Sequence, residues 1–242
     1  ICACLVGSEM CIRDRFYIKE KLLEEGIPFV LKDKQVYLPF IGYLLSNENE
    51  RKISPVHLIS FLTQKVILVA IYEKWENVTA SKAAIRLGVT KMSANRCFDE
   101  IEYLNVDILG MKGKSRVITV PADIQKLWND VRVILRNPVI ARYELKEDIQ
   151  LGKKAGITAL CEYSLLSDNE YPTYAITKKE ITESGIRKMK QVHSGEEIGC
   201  VVLELGYFID FKNKKLEDPL SVTLSLTESE KQDERIGISI KR

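Results

Sequence analysis

Thr79 to Leu104 reads TASKAAIRLGVTKMSANRCFDEIEYL, and the spacing of its apolar residues decides how the chain is built. Ala83, Ala84 and Leu87 recur at helical intervals, and the next residue is Gly88, which readily takes the left-handed conformation that ends a helix. Val89 fills the turn, so the connection is short. Thr79 and Thr90 stand where a side-chain oxygen can accept the free amides of a first turn. From Thr90 a second stripe, Ala94, Cys97, Phe98, Ile101 and Leu104, predicts a helix with Lys91, Asn95, Arg96 and Asp99 facing outward. Downstream, Ile108 to Leu109 and Arg116 to Val120 are β-type runs flanking Gly110 to Ser115, which predicts a hairpin turning at Gly113.

Two helices around a glycine turn, followed by a hairpin, predict a helix-turn-helix with a wing. Charge follows the same layout. Between Thr79 and Arg96 stand Lys82, Arg86, Lys91 and Arg96 with no acid, and the hairpin adds Lys112, Lys114 and Arg116. Asp99, Glu100 and Glu102 gather at the far end of the second helix, where a helix lying in the major groove would be leaving the phosphates. From Val56 to Val120 nine cations face six acids, a modest excess for a DNA binder. In this reading Lys91, Asn95 and Arg96 approach base edges, Asn95 suited to adenine and Arg96 to guanine or a phosphate. Thr90 and Ser93 meet phosphates, Lys82 adds a cation on the preceding helix, and Lys112, Lys114 and Arg116 reach the adjacent backbone or minor groove. The competing reading is a protein-interaction adaptor of the same shape, with its cations as solvated surface.

The whole chain has 242 residues, 45% hydrophobic and 29% charged, with 36 Lys and Arg against 34 Asp and Glu. A net charge of +2 excludes a histone-like binder, so any basic site is local. The longest apolar run, Val66 to Tyr72, is far below the roughly 20 residues a membrane helix needs. A cytoplasmic protein is the expectation. Leu5 to Arg15, LVGSEMCIRDR, matches one reading frame of a transposase mosaic-end adapter, so residues 1–15 are set apart from the fold. What remains has three scattered cysteines, Cys97, Cys161 and Cys200, without metal-binding spacing, and two isolated histidines, His57 and His193.

The predicted class is α+β: a winged helix-turn-helix domain flanked by a small N-terminal α/β element and a C-terminal α+β domain. Residues 16–54 hold a helix over Phe16 to Glu25, a hairpin of Phe29 to Leu31 with Gln35 to Pro39, and a loop over Ser46 to Lys52. Residues 55–136 hold the apolar helix His57 to Trp75, the helix pair, the wing and a helix from Pro121 to Arg136, closed by Asn137 and Pro138. In residues 137–242 the spacing predicts a helix within Gly152 to Leu166. It also predicts buried strands at Thr173 to Ile176 and Cys200 to Leu205, flanking a polar helix near Lys178 to Lys190.

Lys82 to Leu104 resembles the helix-turn-helix of MarR-type regulators. Taken with KKAGITALCEYSLLSDNEYPTYAIT (Lys153 to Thr177), DPLSVTLSL (Asp218 to Leu226) and DERI (Asp233 to Ile236), the chain is similar to AbiEi-like regulators, the antitoxin side of type IV toxin and antitoxin pairs. That resemblance implies a repressor of its own operon, with double-stranded DNA as partner and a toxin or small-molecule effector on the C-terminal domain. A homodimer matching two half-sites is compatible with it. It also implies a further helix after the DERI stretch, whereas GISIKR reads as a helix dissolving and a chain cut short.

Chemistry finds little support. The partner toxins of that family are nucleotidyltransferase-like, but Asp168, Asp210 and Asp218 lack the spacing of such metal ligands. Gly152 to Gly156 lacks a phosphate-loop ending, and its lysines read as a solvated helix start. Cys161 and Cys200 read as core, His193 as surface, and Tyr163, Tyr171 and Tyr174 as core rather than a ligand pocket. No catalytic residue, metal or cofactor is expected. An enzyme accessory subunit is the remaining alternative.

Overall fold

Ser60 opens the first long helix, its hydroxyl accepting the Thr63 amide at 3.2 Å. The computed structural model describes residues 22, 25–31, 35–38, 43–46, 58–167, 170–189, 191–192, 196–210 and 215–240. The adapter-like residues 1–15 lie outside these, as do most of the expected helix at Phe16 to Glu25, His57, Asp168 and His193. The chain divides into two compact units, Ile1–Ser54 and Pro55–Arg242. The mixed α+β class is present in the second, and the first contributes a small sheet.

In the first unit β1 (Phe29–Leu31), β2 (Gln35–Leu38) and β3 (Tyr43–Ser46) form an antiparallel sheet in sequence order. Phe29 lies opposite Tyr37 with ring centroids 5.7 Å apart, a cross-strand aromatic pair. The hairpin was expected and the third strand was not.

The second unit is organised around α1 (Phe61–Glu73), whose residues from Val66 to Ile71 are all buried. Lys74 ends it in the left-handed conformation, φ 48°. Then come β4 (Val78–Thr79), α2 (Ala80–Leu87), α3 (Lys91–Tyr103), β5 (Leu109–Lys112) and β6 (Ser115–Ile118). The three strands form an antiparallel sheet in the order β4-β6-β5. Gly113, φ 61°, is the first of two loop residues between β5 and β6, where a type II′ hairpin turn requires positive φ.

α4 (Ile124–Val131) departs from expectation at both ends. Asp123, not Pro121, caps it by accepting the Lys126 amide at 2.9 Å. It ends at Val131, short of Arg136, whose backbone is held instead by the buried Gln64 side chain. Gln64 donates to the Arg136 carbonyl at 2.8 Å and accepts from its amide at 3.0 Å.

Beyond Pro138 a four-stranded sheet runs β7 (Val139–Leu145), β10 (Cys200–Leu205), β9 (Thr173–Ile176), β8 (Lys153–Lys154). β10 is antiparallel to β7 and parallel to β9, and α6 (Lys178–Ser184) makes the crossover between the parallel pair. All six residues of β10 are buried, and alternate ones serve opposite faces. Cys200 and Val202 pack with Leu145, Ile176 and Ile181. Val201, Leu203 and Leu205 pack with Ala155 and Ala175. α5 (Gly156–Tyr163) lies within the expected helical segment, and α7 (Pro219–Ser225), α8 (Glu228–Gln232) and α9 (Glu234–Ile240) follow the sheet. The last corrects the expectation of a dissolving end: ERIGISI is helical to Ile240.

The division expected near Arg136 is not a break in the core. Tyr207 and Ile209, just past β10, share one apolar cluster with α1, α2, α3, the hairpin and α4, and Leu220 and Leu224 of α7 pack against it.

Candidate nucleic-acid interface

Two threonines set the starts of α2 and α3. Thr79 accepts the Lys82 amide at 3.4 Å and Thr90 accepts the Ser93 amide at 3.1 Å. Between the helices Gly88 holds φ 65°, and its amide and that of Val89 close back on Ile85 and Ala84. Ala83 and Ala84 of α2 meet Ala94, Cys97, Phe98 and Ile101 of α3 in the core, which fixes the rotation of α3 about its axis. Glu100 adds a tether by accepting the Ser60 amide at 3.1 Å.

With that face buried, the outer face of α3 starts with Lys91, Met92 and Arg96, all exposed, and its first turn has no acid. The unpaired amides and dipole of a helix start favour an anion there. Asn95 is half-buried on the flank. The Thr90 and Ser93 hydroxyls are 2.9 Å apart and bonded to each other, although a hydroxyl retains capacity for a further partner. Lys112 and Lys114 are exposed around the hairpin tip, and Lys82 is exposed on α2. No ion pair engages Lys82, Lys91, Arg96, Lys112 or Lys114 among the described residues.

Arg116 is a correction. Its side chain is only 11% exposed and bonds Asp99 at 2.7 Å and Glu102 at 2.8 Å. The guanidinium also lies 5.8 Å from the Phe98 ring centroid and donates to the Asn95 carbonyl at 3.5 Å. Strand alternation explains it: from β6, Arg116 points toward α3, where the acids of the helix's second half receive it. It braces the hairpin against α3 and is not presented to a ligand. Arg86 is likewise answered, by Glu73 at 2.6 Å.

Met92 was not anticipated. It is 66% exposed, and the Arg96 guanidinium lies 3.9 Å from its sulfur one turn on. The signal was in the sequence, since position 92 is half a turn from the centre of the stripe Ala94, Cys97, Phe98 and Ile101.

A second cluster joins the halves of the unit from inside. Tyr72 of α1 donates to Asp218, the N-cap of α7, and accepts from the Leu220 amide at 2.9 Å. Tyr207 accepts from Gln64 at 2.9 Å and from Ser221 at 3.1 Å. Tyr163 donates to the Glu217 carbonyl at 2.8 Å. Burial, and then neighbouring Asp218, push the Glu217 carboxyl up to about 8, opposed by the Gly156 amide and Lys153. Burial also raises the Asp218 carboxyl, against hydrogen bonds from Ser221 and Tyr72. Glu217 Oε2 accepts from Gly156 at 3.3 Å, while Oε1 is buried without a hydrogen-bond partner among the described residues.

Lys153 is not the solvated residue its sequence setting suggests. Its Nζ is buried without a hydrogen bond among the described residues, 5.3 Å from the Phe208 centroid and 3.8 Å from Asp210. Cys200 is buried, donates to the Glu147 carbonyl at 3.2 Å and has its thiol pKa raised by burial. Cys161 is half-buried beside the cluster of α5 and α7. No group of three His, Cys, Asp or Glu side chains is placed to hold a metal among the described residues, and no described helix is long and apolar enough to cross a membrane. No known family model, curated protein or solved structure matches the chain.

Proposed function

We propose that the chain is a sequence-specific regulator that binds duplex DNA, with α2 and α3 as a helix-turn-helix and β5 and β6 as its wing. One observation carries this: α3 begins with a capped, acid-free turn whose outer residues Lys91 and Arg96 are exposed and engaged by no acid among the described residues, while the acids nearer its end serve Arg116. A helix of this polarity suits a major groove entered by its N-terminal end, where Arg96 can meet a guanine edge or a phosphate. Lys112 and Lys114 would then reach phosphates beside the groove. The resemblance to antitoxin-type repressors suggests an operator upstream of the chain's own reading frame, and a toxin or effector as the partner of the second half.

The test is fluorescence anisotropy on that upstream duplex and on duplexes selected from a random library. Arg96→Ala should weaken binding by about 1–3 kcal/mol and relax sequence preference, whereas Lys114→Ala should reduce the salt slope by about one unit. Binding to no duplex, or variants indistinguishable from the parent, would overturn the proposal.

A second reading, a protein-interaction adaptor, has support in Ile85, Met92 and Met111, which are 83%, 66% and 66% exposed. It predicts a protein partner whose binding is insensitive to Arg96→Ala and only weakly dependent on salt.

A further inference from the structure

We infer that Met92 reads the 5-methyl group of a thymine in the major groove, on the base pair next to the one Arg96 contacts; this rests on the DNA reading above. The core stripe of Ala94, Cys97, Phe98 and Ile101 fixes which side of α3 is hidden, and Met92 stands opposite it, in the second position after the Thr90 cap. Residues at the start of a reading helix are the ones that meet base edges. Yet Met92 is apolar and contributes nothing to the cluster that holds α3 in place.

In the major groove the apolar feature on a base edge is the thymine methyl, which the handshake of an apolar side chain distinguishes from cytosine. An unbranched thioether has the reach and adaptability to cover it. Arg96 follows one helical turn later, with its guanidinium 3.9 Å from the Met92 sulfur, so the two tips occupy neighbouring positions along the groove. Thr90 and Ser93, bonded to each other at the cap, hold the helix start that carries Met92. The specificity element is therefore a pair, one tip polar and one apolar, and not the cations alone.

The experiment uses the full chain and a duplex selected from a random library. Each thymine in the selected site is replaced singly by deoxyuridine, which removes the methyl and keeps every hydrogen-bonding edge. At one thymine for each bound copy the parent should lose about fourfold in affinity, the worth of one buried methyl group. Met92→Ala should bind the thymine and deoxyuridine duplexes equally, and Met92→Leu should restore the preference. Equal binding of the parent to every deoxyuridine duplex, or an undiminished preference in Met92→Ala, would overturn the inference while leaving DNA binding intact. Failure to select any duplex would overturn the DNA reading and this inference together.

Discussion

Tyr72 donates its phenolic hydrogen to Asp218 at 2.8 Å, across 146 positions of sequence. The bond runs from the helix that supports the candidate interface to the cap of α7, so the two halves of the second unit share one hydrogen-bonded seam as well as one apolar cluster. Tyr72→Phe removes the donor to Asp218 and the acceptor of the Leu220 amide together. It should lower stability by about 1–3 kcal/mol in urea unfolding, with a single transition for the Pro55–Arg242 unit. Separate transitions for the two halves would contradict the shared seam.

Gln64 makes a larger demand. Replacing it with the similarly sized Leu strands the amide and carbonyl of Arg136 and removes one partner of Tyr207. Buried polar groups left unmatched are expensive, so Gln64→Leu should cost about 2–4 kcal/mol despite adding apolar surface. The shift in unfolding midpoint checks this, and a gain in stability would refute it.

Arg116 should behave unlike the other hairpin cations. Arg116→Met loses contacts to Asp99, Glu102 and the Phe98 ring and should lower stability by about 1–2 kcal/mol, most visibly at low salt. Lys114→Ala should leave stability within about 0.5 kcal/mol. Thermal unfolding of the two variants side by side is the measurement, and an unchanged Arg116→Met would dissolve the brace.

Glu217 ties stability to pH. Its folded-state carboxyl is raised to about 8 from an ordinary 4.5, so folding favours the protonated form. That contribution is complete below the ordinary value and is lost as pH rises toward the folded value, by at most about 1.4 kcal/mol per pH unit for one proton. Unfolding free energy should therefore fall between about pH 5 and pH 8, and Glu217→Gln should flatten the decline. A variant with the parent's pH profile would place the titration elsewhere.

The elements from Thr79 to Ile118 were legible because the events that define them are local. A threonine accepting an amide three residues on, or a glycine turning left-handed after an apolar stripe, leaves its mark within one helical turn. Arg116 shows where that legibility ends. Its charge could be counted in the sequence, but its direction depended on a strand packing Asp99 and Glu102 of a neighbouring helix toward it. β7 escaped notice for a related reason: Arg142 and Glu144 interrupt its apolar pattern, and its partner strand lies about sixty positions away. The helices after Asp218 have a readable start in Asp218 and Pro219, although the Ser and Thr content of the segment lowers its helix propensity. The burial of Glu217 and Asp218, and of the Lys153 ammonium, arises from chain segments that meet only in three dimensions.

Tyr207 and Ile209 fill the rear of α1 from more than seventy positions beyond the hairpin. A gene fragment ending at Arg136 would encode a helix with its greasy flank bare and Gln64 facing an absent phenol. The portion that evolution could transplant intact is thus the longer one, and a protease nicking near Asn137 should release no free-standing folded fragment.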